Sequence, residues 1–402
     1  MLDVGAFIKK HITKRNDSLF FNDIQNNKEK LQKQIEGKSV LVIGGAGTIG
    51  SAFIKEILYF KPSSLVVVDI NENGLTELTR ELRNMPTLEI PSDYLTYPMS
   101  YSDEVFVKMF KKRNGFDIVA NFSAHKHVRS EKDLFSVEAL IRNNVLNAKM
   151  LLDLLKNYPP KHFFCVSTDK AANPVNIMGA SKKIMEELIM TYSNFFPVTT
   201  ARFANVAFSN GSLPAGFLDR LSKRQPLSAP SDVVRYFVSP EESGQICLLA
   251  CILGDSGDIY FPKLRKEQMV KFSYIAQQLL KELGYDIEEC NSEEEALAKV
   301  QENLKEQGRY PVFFSPSDTS GEKPYEEFYT EEEKVWFHDY ESLGVVKEKK
   351  GRGFGELEEL FLNLNLLFDE ENTEKIDVVN SIKLFLGNFE HIETGKSLDS
   401  KM

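Results

Sequence analysis

Three glycines at 44, 47 and 50, directly after an apolar run, constrain this chain more than any other feature. Val40-Leu41-Val42-Ile43 leads into Gly44-Gly45-Ala46-Gly47-Thr48-Ile49-Gly50, and helical apolar spacing follows over 51–59. At a strand-to-helix turn, glycine admits unusual backbone angles. Its bare Cα also lets a pyrophosphate approach the main chain and the free amides of the helix start. Such a triplet occurs in ordinary tight turns too, so the acid that follows matters. Asp69 closes the next apolar run, at about the 20-residue distance where a carboxylate meets the adenosine ribose hydroxyls and repels a 2′-phosphate. The next residues, Ile70-Asn71-Glu72-Asn73, contain no Arg or Lys to hold that phosphate, which favours NAD over NADP. No Lys-Ser/Thr pair follows the glycines, which excludes a P-loop nucleotide hydrolase.

Apolar runs at 39–43, 65–68, 117–121, 162–167 and 198–203 are short and rich in Val, Ile or Phe, as strands buried on both faces of a parallel sheet should be. Helical patterns lie between them, as at 51–59 and 144–157. This alternation predicts an α/β protein with a Rossmann-like, doubly wound parallel sheet. The expected organisation is a helical extension over 1–36, a dinucleotide-binding domain over 37–204, a smaller substrate domain over 205–345 and a helical C-terminal extension over 346–402. The pattern shifts after Arg202, where Gly and Pro become frequent. Helices are expected at 267–284 and 293–307, the latter a charged, solvated insertion. Leu357, Leu360, Phe361 and Leu364 give the last segment a helical apolar face to pack on the body or a sister subunit, and 392–402 reads as disordered.

Acidic side chains outnumber basic ones, 59 to 49, for a formal charge of −10. That sign repels a phosphate backbone and argues against nucleic acid as the main partner. No apolar run approaches the roughly 20 residues a spanning helix needs. The first residues, 1–15, lack the long apolar core of a signal peptide and read as a packing or tethering extension. Cys165, Cys247, Cys251 and Cys290 include no C-x-x-C pair, and His125 and His127 have no acid or thiol cluster beside them. Neither zinc nor another metal is expected, and a cytoplasmic, reduced protein fits this usage.

The second informative segment is Val166-Ser167-Thr168-Asp169-Lys170-Ala171-Ala172-Asn173-Pro174-Val175-Asn176-Ile177-Met178-Gly179-Ala180-Ser181-Lys182. Ser167 to Lys170 fall at the C-terminal end of an expected strand, where open α/β sheets place their sites. An Asp here is often a helix cap and an Asp-Lys pair often a surface ion pair; the glycine unit upstream favours chemistry instead. The G-x-x-G-x-x-G spacing resembles the extended short-chain dehydrogenase/reductase superfamily. The string S-T-D-K-A-x-x-P-x-N-x-M-G-A-S-K resembles, more specifically, the UDP-N-acetylglucosamine 4,6-dehydratases of the polysaccharide-biosynthesis family, the CapD type. Agreeing motifs are Ala124-His125-Lys126-His127-Val128, Arg202-Phe203-Ala204-Asn205-Val206, Arg235-Tyr236-Phe237 and Gly321-Glu322-Lys323, so the resemblance spans 38–327.

The resemblance implies a reaction in which hydride leaves carbon 4 of a UDP-sugar for NAD, water is eliminated across carbons 5 and 6, and the hydride returns to carbon 6. Asp169 is then the acid if burial raises its pKa, and Lys170 the base if burial or nearby positive charge, Lys182 included, lowers its own. Thr168 would bond the carbon 4 oxygen and Lys182 the nicotinamide ribose. Met178 stands where the superfamily has its Tyr base. A thioether moves no proton, so Met178 reads as a packing residue, and the carbon 4 hydroxyl proton goes to a water held by Thr168 and Lys182 or to Asp169. The Met variant further implies retention of configuration at carbon 5.

For the cofactor, the resemblance adds Ala46, Thr48, Ile49, Ile70, Asn71, Met99, Ser100, Phe122, Ala124, Lys126 and Asn144 to the glycines and Asp69. For the substrate it implies Lys126, Thr168, Asn205, Leu213, Arg235 as the diphosphate ligand, and Glu322 near the uridine ribose, with Thr319 where many members carry an Arg. A homo-oligomer is expected by the same likeness. Two other readings compete: an NAD-linked nucleotide-sugar 4-epimerase or 4-reductase, which would lack the Asp-Lys pair, and an inactive NAD-binding regulator, which need not keep Asp169, Lys170 and Lys182.

Overall fold

The computed structural model describes residues 2–303, 308–317, 323, 325–347 and 351–393. Six parallel strands form most of its main sheet: β1 (Ser39–Ile43), β2 (Ser64–Asp69), β3 (Asp93–Pro98), β4 (Ile118–Asn121), β5 (His162–Thr168) and β6 (Val198–Phe203). They lie side by side in the order 3-2-1-4-5-6. Strand order therefore reverses at β1, which pairs with β2 on one side and β4 on the other. In a doubly wound sheet, that reversal opens a crevice at the C-terminal ends of the strands. The glycine turn after β1 and the Ser167–Lys170 segment after β5 lie at this same sheet edge. Apolar side chains of β1, β2 and β4 to β6 are buried almost without exception, as a sheet covered on both faces requires.

β3 escapes a reading by apolar runs because it is the edge strand. Its sequence, Asp-Tyr-Leu-Thr-Tyr-Pro, is half-exposed along its length and lacks the apolar run of a strand covered on both faces. The sheet also extends past β6 with strand Ile259–Pro262, which is parallel to it, and then with antiparallel strands Leu343–Val346 and Val335–Trp336. The stretch 205–345 thus contributes to four sheets: the main one, two two-stranded pairs (Asn205–Val206 with Phe237–Val238, and Val234–Arg235 with Val270–Lys271), and a separate parallel one of Leu227–Pro230, Asp286–Cys290 and Arg309–Ser315. A second core gathers around it from Phe217, Ile275, Leu279, Tyr310 and Val312, joined by Phe7, Ile8 and Ile12 of the N-terminal extension.

The helix expected over 267–284 is Phe272–Glu282, preceded by a short turn and the two-residue strand Val270–Lys271. In the charged stretch, helix Glu293–Asn303 buries Ala296; residues 304–307 lie outside the described residues. Helices Phe354–Asp369 and Lys375–Phe385 pack into the main core through Leu357, Leu360, Phe361, Leu364, Val378 and Ile382. The segment leading into them, 351–352, reaches the end of helix Ile177–Thr191, whose residues are all buried, charged ones included. The contact is intimate at Gly351, where any Cβ would lie 2.2 Å from the Thr191 amide nitrogen, and the Arg352 carbonyl accepts a bond from Thr191 Oγ1 at 2.9 Å. Of the tail read as disordered, Ile392 donates its N–H to the Val175 carbonyl at 3.0 Å, and 394–402 lie outside the described residues. Among the described residues, no helix is long and apolar enough to cross a membrane.

Candidate active site

The turn after β1 needs its glycines for two separate reasons. Gly44 has φ +74°, and a Cβ there would lie 2.7 Å from the Ser123 amide nitrogen at the end of β4. Gly50 lets helix Thr48–Leu58 press against the turn, since its Cβ would meet the Gly44 carbonyl at 2.4 Å. The helix begins at Gly47 with no side chain capping it, so its first amides remain available to an anion. Asp69 Oδ2 accepts from the Ala46 amide and Oδ1 from the Asn71 amide, both at 2.9 Å. Asn71 caps the next helix through the Gly74 amide at 2.9 Å, and Ile70 stands exposed beside them. A cradle that any Cβ would fill, an uncapped helix start and a carboxylate held beside them together fit a dinucleotide.

The other residues expected at the cofactor lie on the segments after β3 and β4 and on the helix that follows. Met99 and Ser100 follow β3, with the Ser100 amide bonded to Asp103 at 2.9 Å. Phe122 is fixed by its amide to the Ile43 carbonyl at 2.8 Å and by ring contacts with Phe53 and Phe164. Ala124 lies on the loop that follows. Lys126 Nζ donates to the Asn210 carbonyl at 2.7 Å, while Thr48 Oγ1 accepts from the Asn210 amide at 3.0 Å. The loop around Asn210 is thereby held against both the helix start and Lys126. Asn144 is buried, brackets His125 through that residue's amide (2.8 Å) and carbonyl (2.9 Å), and donates to Ser181 Oγ at 3.0 Å.

After β5 the chain makes a short turn, Asp169–Ala171, and buries Asp169 completely enough to leave it 3% exposed. One carboxylate oxygen, Oδ1, accepts from Thr168 Oγ1 at 2.8 Å, the Lys170 amide at 2.9 Å and Lys170 Nζ at 3.1 Å. Lys170 also faces Glu326, with Nζ 3.7 Å from Oε1. The expected lowering of the Lys170 pKa is not found. Burial does pull it down, but the carboxylates of Asp169 and Glu326 outweigh burial and the repulsion of Arg235, and the value is raised. Lys182 is not among the charges acting on it. That amine is itself buried, its pKa lowered by the loss of solvent, and it donates to the Val166 carbonyl at 3.0 Å.

Met178 is core: it is 3% exposed and belongs to the main hydrophobic cluster. Helix Ile177–Thr191 is held tightly against the Asp169–Ala171 turn, because a Cβ at Gly179 would lie 2.7 Å from the Lys170 carbonyl. Asn176 caps this helix through the Gly179 amide at 2.7 Å, and Glu131 accepts from the Ile177 amide at 2.8 Å. Ser167 points away from the turn and donates to Glu186 at 2.6 Å. Glu186 in turn holds the fully buried Arg202, which also bonds Glu333 at 2.7 and 2.8 Å.

On the substrate side, Asn205 Nδ2 is buried and has no hydrogen-bond partner among the described residues. A buried unpaired donor costs about 1–3 kcal/mol, so a ligand acceptor there would recover lost free energy. Arg235 is buried, donates to the Val234 carbonyl at 2.9 Å and lies 4.0 Å from Glu326. Leu213 opens helix Leu213–Ser222 behind the cap Ser212. Glu322 and Thr319 lie outside the described residues. Among those described, no group of three or more His, Cys, Asp or Glu side chains could hold a metal, and all four cysteines are buried thiols.

Sequence reasoning passed over Glu326 and the Glu186–Arg202–Glu333 network. Glu326 stands in an acidic pair, Glu326-Glu327, between Tyr325 and Phe328, and nothing local separates it from its solvated neighbour. Glu186 and Glu187 sit in a helix whose complete burial depends on segments more than a hundred residues away. No local signal marks either.

Comparison with known proteins follows the same line. The family described as "Polysaccharide biosynthesis protein" matches residues 40–348. An uncharacterized membrane protein of Methanocaldococcus jannaschii is 29% identical over 322 residues, covering 77% of this chain and 85% of its own. The probable polysaccharide biosynthesis protein EpsC of Bacillus subtilis is 27% identical over 69% of this chain and 46% of its own, so this chain spans less than half of that relative. A UDP-N-acetylglucosamine 4,6-dehydratase (inverting) of Campylobacter jejuni is 26% identical over 62% of this chain and 73% of its own. Among solved structures, Pen from Bacillus thuringiensis superposes with a TM-score of 0.63 at 20% identity, covering 83% of this chain and 99% of that one, which establishes the shared fold.

Proposed function

The chain belongs to the polysaccharide biosynthesis protein family, and from that membership we propose that it is an NAD-dependent UDP-N-acetylglucosamine 4,6-dehydratase that retains configuration at carbon 5. The observation that carries this reading is the Asp169–Lys170 pair, its acid buried, at the same end of the sheet as the glycine turn. NAD, held by Gly44, Ala46, Gly47, Thr48, Ile49, Gly50 and Asp69, would supply a hydride acceptor for carbon 4 that returns the hydride at carbon 6.

The protein's own residues handle protons. In its resting form the pair is a Lys170 ammonium against an Asp169 carboxylate. Moving one proton across their 3.1 Å contact leaves an amine able to take the carbon 5 proton and a carboxylic acid able to protonate the departing carbon 6 oxygen. One internal transfer therefore prepares base and acid together without changing the net charge of the site. Thr168 Oγ1, now spent on Asp169, can turn to the carbon 4 oxygen. With Met178 in the core, the proton of the carbon 4 hydroxyl leaves through water between Thr168 and Lys182, whose lowered pKa eases its passage between charge states. Arg235 would fork onto the diphosphate and Asn205 would offer its unpaired amide to the nucleotide sugar.

Incubation with UDP-N-acetylglucosamine in deuterium oxide, followed by proton NMR, tests the proposal. A new methyl doublet collapsing to a singlet as deuterium enters carbon 5 is expected, with ring couplings of the retained configuration. Inverted couplings would overturn the stereochemical part. Epimerised sugar without a methyl signal would favour a 4-epimerase, and no turnover with any UDP-sugar while NAD is bound would favour a regulator.

A further inference from the structure

Glu326 is only 5% exposed, yet it stands among the charges of the catalytic turn. Its Oε1 lies 3.7 Å from Lys170 Nζ and 4.0 Å from Arg235 Nη2. Two nearby residues in the chain secure it. Glu327 accepts from Asn173 Nδ2 at 3.0 Å, and Lys323 Nζ donates to the Asn173 carbonyl, so this segment is tied to the loop that follows Lys170. The result is a second carboxylate brought from a distant part of the chain onto the Lys170 ammonium, beside that of Asp169.

We propose that Glu326 is a positioning residue for Lys170: its carboxylate holds the amine in place and governs whether that amine carries its proton. Two anions on one ammonium favour the protonated form, and Asp169 supplies only one of them. The groups that face Glu326 are Lys170, Asp169, Arg235 and Lys323. Burial is the largest influence on Glu326, and with Asp169 it raises the pKa against the pull of the three cations. When Glu326 takes a proton, one of the two anions leaves Lys170, and the amine gives up its own proton more readily. The catalytic consequence rests on the dehydratase reading, in which Lys170 must act as an amine.

The charge state of Lys170 can be read without turnover. In the full-length, NAD-loaded protein, acylation of Lys170 by a small amine-reactive reagent is followed by mass spectrometry across pH. The wild-type midpoint is expected above that of exposed lysines in the same chain, and E326Q is expected to bring it down by about one pH unit or more. E326D, which keeps the charge, should stay closer to wild type than E326Q does. A folded E326Q with an unmoved midpoint overturns the proposal, as does an E326D that behaves like E326Q. Should E326Q not fold, a wild-type midpoint below that of exposed lysines overturns it. In the dehydration assay, the alkaline limb of kcat should move down in E326Q with the labelling midpoint. A protein that labels as expected but dehydrates no UDP-sugar overturns the dehydratase reading and leaves this one standing.

Discussion

Between Ser39 and Gly74 the dinucleotide cradle is built from main chain: glycine turns, helix amides and one carboxylate that bonds two backbone N–H groups. The end of β5 is built the other way, from charged side chains brought together from far along the chain. Asp169 and Lys170 meet Arg235 and Glu326, and beneath them Ser167, Glu186, Arg202 and Glu333 form a buried network. A main-chain cradle is specified by its own short sequence and tolerates no added atoms. A buried charge cluster tolerates changes of shape but not the loss of one partner, because the group left behind is then an uncompensated buried ion.

The largest effect is expected at Arg202. Arg202→Met leaves Glu186 and Glu333 without their guanidinium and should destabilise the fold by about 3–5 kcal/mol in chemical denaturation. Its pH dependence sharpens the point. In the wild type, burial pushes Glu333 up, but the bonds to Arg202 and the charge of Lys183 win and hold it at about 2. A depressed folded value means stability that is present above the unfolded carboxylate pKa of about 4.3 and lost as pH falls towards 2. Wild-type unfolding free energy should therefore decline between about pH 5 and pH 2. In Arg202→Met only the charge of Lys183 and the Thr330 amide still oppose burial, so the slope should flatten; an unchanged slope would break the contrast between the two regions.

Lys170→Met should come next, lowering kcat by about 10²–10⁴-fold, the usual worth of a general base, while NAD affinity by fluorescence titration stays within about threefold. Loss of NAD binding along with turnover would mean that the two regions are not separable. At the cradle, Gly44→Ala forces a Cβ to 2.7 Å from the Ser123 amide nitrogen and holds alanine at φ +74°. It should cost about 1–3 kcal/mol, read as weakened NAD binding with the acid-denaturation slope intact. The smallest effect belongs to Met178→Leu. A volume-conserving core exchange should cost under about 1.5 kcal/mol, with kcat within about threefold of wild type; a large loss of kcat in a stable variant would restore a chemical role to this position.

What the sequence determined is what neighbouring residues can specify among themselves. The glycine turn with Asp69, five of the six parallel strands β1 to β6, and the juxtaposition of Thr168, Asp169 and Lys170 at a strand end were all legible, because strand periodicity, turn geometry and residue adjacency are local properties. β3 was not, because an edge strand need not be apolar. Met178 could be read as packing from its side-chain chemistry alone. Tertiary structure decided the electrostatics. Whether Lys170 is pulled towards amine or ammonium depends on Glu326, an acid indistinguishable in sequence from the solvated Glu327 beside it. Likewise the partners of Ser167 and Asn144, namely Glu186, Ser181 and His125, are brought to them only by the fold. Coulomb energies depend on distance and burial in three dimensions, and neither is encoded by position along the chain.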